Sequence, residues 1–454
     1  MSATLSTINS VLKVLYPDNK GLPREALYKM SPTWALLSKT SDFKGASISI
    51  PIQTTGRSTP SPTASIGFGT STANTYRNFL ITTARNYFSG TISTEAMLAA
   101  DGENEGSFID ALDREIKGSM YGVGRSISAN LFGNTGMALG QISAGSNTGT
   151  ATITLADARS VVNFEVGMTL ETSATDGTSG SVRSGTVTIT SISSGDVVAG
   201  TGATLTASGN WTAGITGCAA SDFIFASGSF GLGFAGLAAW NPVTAPTSGD
   251  SFFGVDRSSN ATRLAGSRTV ATGMNIEEAI MYGATTLRVE GGTADYVVMH
   301  PVRFQQLMNS VYSKAWTPVM GTEPRPDRSK PGAKVSIGYD GLKITAAGMS
   351  LIAIDDPQCP FGVLRLFNSS DLEFRSRDAV PHLQDFDGLK IIRTAGADSY
   401  GFRGGYYGNL VCYNPQNLCV VTLLWQAIYF IRFNPWARTT GCWLVRFGPT
   451  GHQL

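Results

Sequence analysis

From Ser107 to about Phe132 the apolar residues recur at steps of three or four: Ile109, Leu112, Ile116, Met120, Val123, Ile127 and Leu131. That spacing keeps one face of an α-helix apolar for about seven turns, roughly 39 Å at 1.5 Å per residue. Asp101, Glu103 and Glu105 precede the run, where the helix dipole favours negative charge. Ser107 with Asp110 reads as a capping-box-like start. Gly118, Gly122 and Gly124 fall inside the helix. Each costs about 1 kcal/mol relative to alanine, which is tolerable where another backbone passes close.

The segment ahead of the helix has a different period. Residues 1 to about 44 read as an arm with one or two helical turns, and Ser31-Pro-Thr-Trp34 is a helix start that Trp34, Leu36 and Leu37 would dock. Ile48, Ile50 and Ile52 then alternate with Ser47, Ser49 and Pro51, the pattern of a half-buried strand. Pro51 lacks a backbone donor, which places that strand at an edge. Residues 56–75 form a Ser/Thr/Pro/Gly-rich tip without periodicity, and Asn78 to Ile92 returns as a second strand. This hairpin is too polar to carry its own core. Ile48, Ile50 and Ile52 are therefore expected to seat it on an adjacent subunit. Arg57 at the tip would meet an acidic partner, and Arg77 is counted among the same contacts. A long helix beside such a hairpin suits a thin subunit with many neighbours better than a compact enzyme.

Residues 140 to about 226 change texture again. Thr, Ser, Gly and Ala dominate, with β-branched runs such as Thr150-Ala-Thr-Ile-Thr-Leu155 and Thr186-Val-Thr-Ile-Thr190 between Gly-rich turns. This reads as a small all-β domain inserted between helical regions. Beyond it, Asn275 and Glu278 cap a helix to about Val289, Tyr296-Val-Val-Met-His300 is a buried strand, and Pro301 opens another helix, where its missing N–H costs nothing. Short strands follow at 334–337, 342–346, 351–354, 363–367, 372–375, 389–394, 410–413 and 418–423. The class is α+β.

Charged residues make up only 15% of the 454, and the net charge is +1. Low charge without net repulsion does not describe a disordered chain; it fits a β-rich protein whose surface is covered by neighbours, since interface cores are depleted in charge. No global basic field marks a nucleic-acid binder, though local basic patches remain compatible with the composition. The N-terminus has no signal-peptide pattern, and no stretch reaches the roughly 18 apolar residues of a membrane span. The five cysteines, Cys218, Cys359, Cys412, Cys419 and Cys442, are scattered and never spaced C-x-x-C, so reduced thiols are expected rather than disulfides or zinc.

Motifs for catalysis are sparse. Gly231-Leu-Gly233-Phe-Ala-Gly236 matches G-x-G-x-x-G, but Asn241-Pro242 ends any helix at once and no βαβ unit follows, so a glycine linker is the plainer reading. His300 reads as a packed strand-end histidine. His382, with Asp378 and Asp385 near in sequence, is the one conceivable hydrolytic centre. Asp355-Asp356-Pro357 reads as a strand-ending turn, with a metal pair as the alternative. No catalytic residue, cofactor or metal is expected.

Several stretches, in order, resemble the major capsid proteins of tailed double-stranded DNA phages, the Hong Kong-97-like fold family. They are Phe253-Gly-Val-Asp-Arg-Ser258 with Leu264-Ala-Gly266, Asp295-Tyr-Val-Val-Met-His-Pro301, Gly341-Leu-Lys-Ile344 through Asp355-Asp-Pro-Gln-Cys-Pro-Phe-Gly-Val-Leu364, and Tyr407-Gly-Asn-Leu-Val-Cys-Tyr-Asn-Pro415. The resemblance implies an N-terminal arm (1–44), an extended loop (45–98), and a peripheral domain with a spine helix (99–139). The inserted β-rich domain (140–228), an axial domain (229–385), returning peripheral strands (386–424) and a tail of uncertain status (425–454) follow. It also implies a non-enzymatic subunit of an icosahedral head, assembled in the host cytoplasm as hexamers and pentamers. Its partners would be portal, scaffolding and decoration proteins and non-specifically enclosed double-stranded DNA, with no membrane. Some relatives weld neighbours through a lysine on the extended loop; here no lysine lies between Lys44 and Lys117, so a non-covalent shell is expected. An encapsulin-type compartment is the nearest rival. A β-rich fibre or glycan-binding adhesin, suggested by the insert, is a rival of another class.

Overall fold

The computed structural model describes residues 31–55, 62–63, 74–93, 105–315, 342–385, 388–389, 391–393, 396 and 398–423, with backbone alone at 92–93, 105–115 and 312–315. All belong to one unit that ends at Leu424. The expected strand at 334–337, Arg57 and the tail 425–454 lie outside the described residues.

Ser31 starts α1 (Pro32–Leu36) as expected: its Oγ accepts the Trp34 N–H at 3.3 Å. Strand β1 (Ser38–Thr40) follows, then β2 (Ser47–Thr55) and β3 (Thr75–Thr82), which pair only with each other. Where one return strand was expected from Asn78 to Ile92, the chain breaks at Thr83 and continues as β4 (Ala84–Ser93), which leaves the hairpin for another sheet. Helix α2 spans Glu105–Phe132. It begins two residues before Ser107, which therefore lies in the first turn rather than capping it.

That other sheet is organised by β21 (Ser399–Cys412). One edge of β21 pairs with β4 over ten residues; the other takes β20 (Ile391–Arg393), β19 (His382–Leu383) and β18 (Leu372–Ser376) in turn, and β1 joins β18 in parallel. A second sheet has the order β13 (Ser267–Val270), β22 (Cys419–Thr422), β17 (Val363–Phe367), β14 (Tyr296–Met299), β16 (Met349–Asp355), β15 (Leu342–Ala346). Helices α4 (Ile276–Val289) and α5 (Pro301–Ala315) accompany it, and the Asn275 N–H donates to the Glu278 carboxylate at 3.3 Å at the start of α4. Between α2 and α4, the short helix α3 (Leu237–Trp240) ends at Asn241, and the two-residue strands β11 (Ser251–Phe252) and β12 (Val255–Asp256) pair with each other.

The second sheet has a core on each face. Val297, Met299, Leu364 and Leu366 join one cluster with Ile280, Ala284 and Leu287 of α4, while Val298, Phe367 and Cys359 join the cluster of Trp240, Phe374 and Ile127. Burial on both faces explains why β14 reads as a continuous apolar run; in β17 the run is interrupted by the buried Arg365, whose Nη1 donates to Leu237 O at 3.4 Å. Sheet membership crosses the expected division at 385/386. Strands β18 and β19 belong with β21, whereas β22, from the far end of the described chain, lies between β13 and β17. Hydrogen-bonding partners, not sequence neighbours, define the layers.

Residues 140–226 contribute strands only to a sheet of their own, ordered β5 (Gly140–Gln141), β10 (Phe223–Ala226), β7 (Thr169–Ser173), β8 (Val187–Ser193), β9 (Thr204–Ala207), β6 (Thr152–Thr154). Ile153, Leu170, Ile189, Leu205 and Ile224 form its core around Trp211, whose Nε1–H donates to Ala151 O at 3.0 Å.

Candidate assembly surfaces on the hairpin and the long helix

The hairpin has two faces because strand side chains alternate. Ile50 and Ile52 of β2, with Phe79 and Ile81 of β3, point inward and are buried; Ile48 is half-buried. Their cover comes from this chain. Phe79 packs on Trp240 at 5.4 Å and on Phe252 at 6.2 Å between ring centroids. Leu80 N–H donates to Phe253 O at 3.1 Å, and Asn260 Nδ2 and Arg263 Nη1 each donate to Thr54 O at 3.1 Å. This corrects the expectation that Ile50 and Ile52 await a neighbouring subunit: the aromatic group of Trp240, Phe252 and Phe253 already seats them.

The outward face is different. Tyr76 is 55% exposed, Leu80 51%, and Tyr87 of β4 55%. Arg77 is exposed on the same hairpin. The carboxyl of Asp256 is held below its ordinary range first by the Ser258 hydroxyl and amide, with the Arg77 charge a smaller contributor. Sequence reading overlooked Tyr76 and Leu80, although they alternate with the inward Phe79 and Ile81 and a strict period of two would have found them.

On α2, Ile116, Met120, Val123, Ile127 and Leu131 are buried, the expected stripe. Ile109 and Leu112 lie on the same helix, but their side chains fall outside the described residues. The helix packs along β4, where Asn86 Nδ2 donates to Ser126 Oγ at 2.9 Å. A Cβ at Gly118 or Gly122 would meet nothing within 4 Å. Among the described residues, then, no other backbone makes the expected close approach there.

The histidines and Asp356 make hydrogen bonds within the fold. His382 is buried, with Nδ1 2.9 Å from Ala379 O. His300 Nδ1 accepts the Val302 N–H at 3.2 Å at the start of α5. Asp356 is fully buried and accepts from Ser31 Oγ at 2.6 Å, Thr33 N–H at 3.3 Å and Gln358 N–H at 3.0 Å. It ties α1 to the end of β16. The glycine motif lies against the C-terminal end of α2: a side chain at Gly236 would overlap the carbonyls of Asn130 and Gly133. Cys218, Cys359, Cys412 and Cys419 are buried and unpaired, and burial raises each thiol, that of Cys419 to about 12. Among the described residues no cluster of His, Cys, Asp and Glu is placed to bind a metal, and no helix is long and apolar enough to cross a membrane.

No family model matches the sequence, and no curated protein matches it. Among solved structures the chain is similar to the capsid asymmetric unit of cyanophage A-1(L), at 10% identity over 86% of this chain and 92% of that one, with a TM-score of 0.49. It is similar to Gordonia phage Cozz at 10% identity, covering 87% of each chain, with a TM-score of 0.38. It is also similar to the virus-like particle from Pyrococcus furiosus at 8% identity, over 88% and 96%, with a TM-score of 0.35. The functional reading rests on the chain's own architecture.

Proposed function

We propose that this chain is a shell-forming subunit, the major capsid protein of a tailed-phage head. The observation that carries the proposal is the two-faced hairpin. Its inner face is anchored by Phe79 and Ile81 on this chain's core, and its outer face offers Tyr76 and Leu80 to solvent. Exposed tyrosine and leucine on an anchored, low-charge strand pair are the composition of a protein contact. An anchored hairpin that exposes a tyrosine and a leucine on its outer side suits repeated contact with copies of the same chain.

In this reading, copies join as hexamers and pentamers in the host cytoplasm and become the virion shell. They enclose double-stranded DNA without sequence preference and work with portal, scaffolding and decoration proteins. Contact between neighbours is non-covalent, because residues 45–116 supply no lysine for a cross-link. The role is structural, not enzymatic.

The test is expression of the full chain, followed by sedimentation and negative-stain microscopy. Uniform hollow spheres are expected. Dispersed monomers under every condition, with scaffolding protein supplied, would overturn the proposal.

A further inference from the structure

Among the described residues, the 140–226 module grips the rest of the chain at these three places besides its two chain crossings. At the long helix, Arg125 pairs with Glu165, and its Nη1 donates to Val162 O at 3.3 Å. At the turn after that helix, Asn134 Nδ2 donates to Asp176 Oδ2 at 2.7 Å, and Gly136 and Gly177 approach so closely that neither has room for a side chain. At the second sheet, the Arg159 guanidinium stands 3.7 Å from the ring centroid of Phe361, which follows β16, while Arg303 of α5 stands 3.9 Å from the same centroid.

The third contact is built rather than incidental. The Arg159 side chain is 6% exposed. Its Nη1 donates to Asp157 Oδ1 at 3.0 Å and its Nη2 to Val198 O at 2.6 Å. The loop carrying Val198 turns through Gly200 at φ +79°, where a Cβ would collide with the guanidinium itself. One loop of the module thus encloses Arg159 and holds its guanidinium over the Phe361 ring, in the loop between β16 and β17. Cation–π contacts gain strength when desolvated in this way.

We infer that the 140–226 module is an internal brace, which couples the C-terminal half of α2 to the second sheet through Arg125, Asn134 and Arg159 so that helix, module and sheet move as one body. A body gripped at three elements does not swing on its two linkers, as a projecting binding domain does. The inference is independent of the proposed shell role, because it concerns motions within one chain.

Hydrogen exchange of the full-length, unassembled protein tests it. Phe361→Leu keeps apolar volume but removes the ring face. It is expected to speed amide exchange at 134–141 and 158–164 by roughly tenfold, the scale of a desolvated cation–π contact. Exchange within β7 and β10 should stay slow, because the module's own core is intact. Arg159→Lys, which loses the planar guanidinium and leaves the second sheet untouched, should have the same effect. It decides the matter if Phe361→Leu also loosens the 342–367 strands. Unchanged exchange at both segments in Arg159→Lys would overturn the brace and leave an independently tethered module.

Discussion

Phe402 lies against Gly90, its partner across the β4–β21 ladder, and its ring fills the space a side chain at position 90 would need. The relation is repeated with the roles exchanged two pairs along, where Phe88 covers Gly404. These glycines are thus sockets for phenyl rings, which compensates for the packing a strand glycine ordinarily forfeits. Gly90→Val should destabilise the unassembled chain by about 1–3 kcal/mol through overpacking. Gly118→Ala, where a Cβ meets nothing, should stabilise it by up to about 1 kcal/mol. Urea titration of both variants checks the pair; a Gly90→Val protein as stable as the parent would remove the socket.

Two substitutions to aspartate separate folding from assembly. Ile116 is 2% exposed, so Ile116→Asp buries an unpaired charge and should prevent a stable fold. Leu80→Asp changes an exposed position and should leave circular dichroism and the melting temperature nearly unchanged while blocking particles. Normal particles from Leu80→Asp would detach the hairpin's outer face from any role in contact.

His300 gives a sign for acid sensitivity. Burial, with help from the Arg159 charge, lowers its pKa to about 4, against the ordinary 6.5; Asp157 opposes this and Arg303 adds to it. The unfolded chain therefore takes up a proton near pH 6.5 that the native chain refuses until about pH 4. Stability from this group is full above pH 6.5 and falls by on the order of 2–3 kcal/mol as the pH drops to 4. Asn at this position caps a helix without titrating, so His300→Asn should flatten that part of the curve. Equal losses in parent and variant between pH 7 and pH 4.5 would assign the effect to other groups.

Asp356 holds α1 in place through Ser31 and Thr33. Asp356→Ala strands the buried Ser31 hydroxyl and should cost about 1–3 kcal/mol. Exchange at residues 32–37 should rise more than exchange in β14. Uniform acceleration across both would indicate global unfolding instead of release of the arm.

Local signals were legible and partnerships were not. The α2 stripe, the Ser31 start, the Asn275–Glu278 pair and Pro301 at the start of α5 depend on residues three or four apart, so the sequence displays them directly. The break at Thr83 is silent, because nothing in Asn78 to Ile92 says that its two halves serve different sheets. The first ten residues of β21, Ser399-Tyr-Gly-Phe-Arg-Gly-Gly-Tyr-Tyr-Gly408, carry no strand signal until Phe88, Phe374 and the β4 ladder are seen to occupy its glycines. The seat of Ile50 and Ile52 was missed for the same reason: Trp240 and Phe252 lie about two hundred residues away, and only closure of the fold brings them together. The brace was hidden because Arg159 and Phe361 each look ordinary in their own segments.

The β4–β21 ladder has a consequence for biosynthesis. Its two strands are separated by about three hundred residues, so the ladder forms late and slowly compared with local structure. A ribosome must release almost the whole polypeptide before the platform under α2 can close, while the 140–226 module is free to fold as it emerges. Nascent copies therefore pass through a stage with one finished module and an open, apolar remainder, when crowding by sibling chains is most hazardous and a chaperone is most useful.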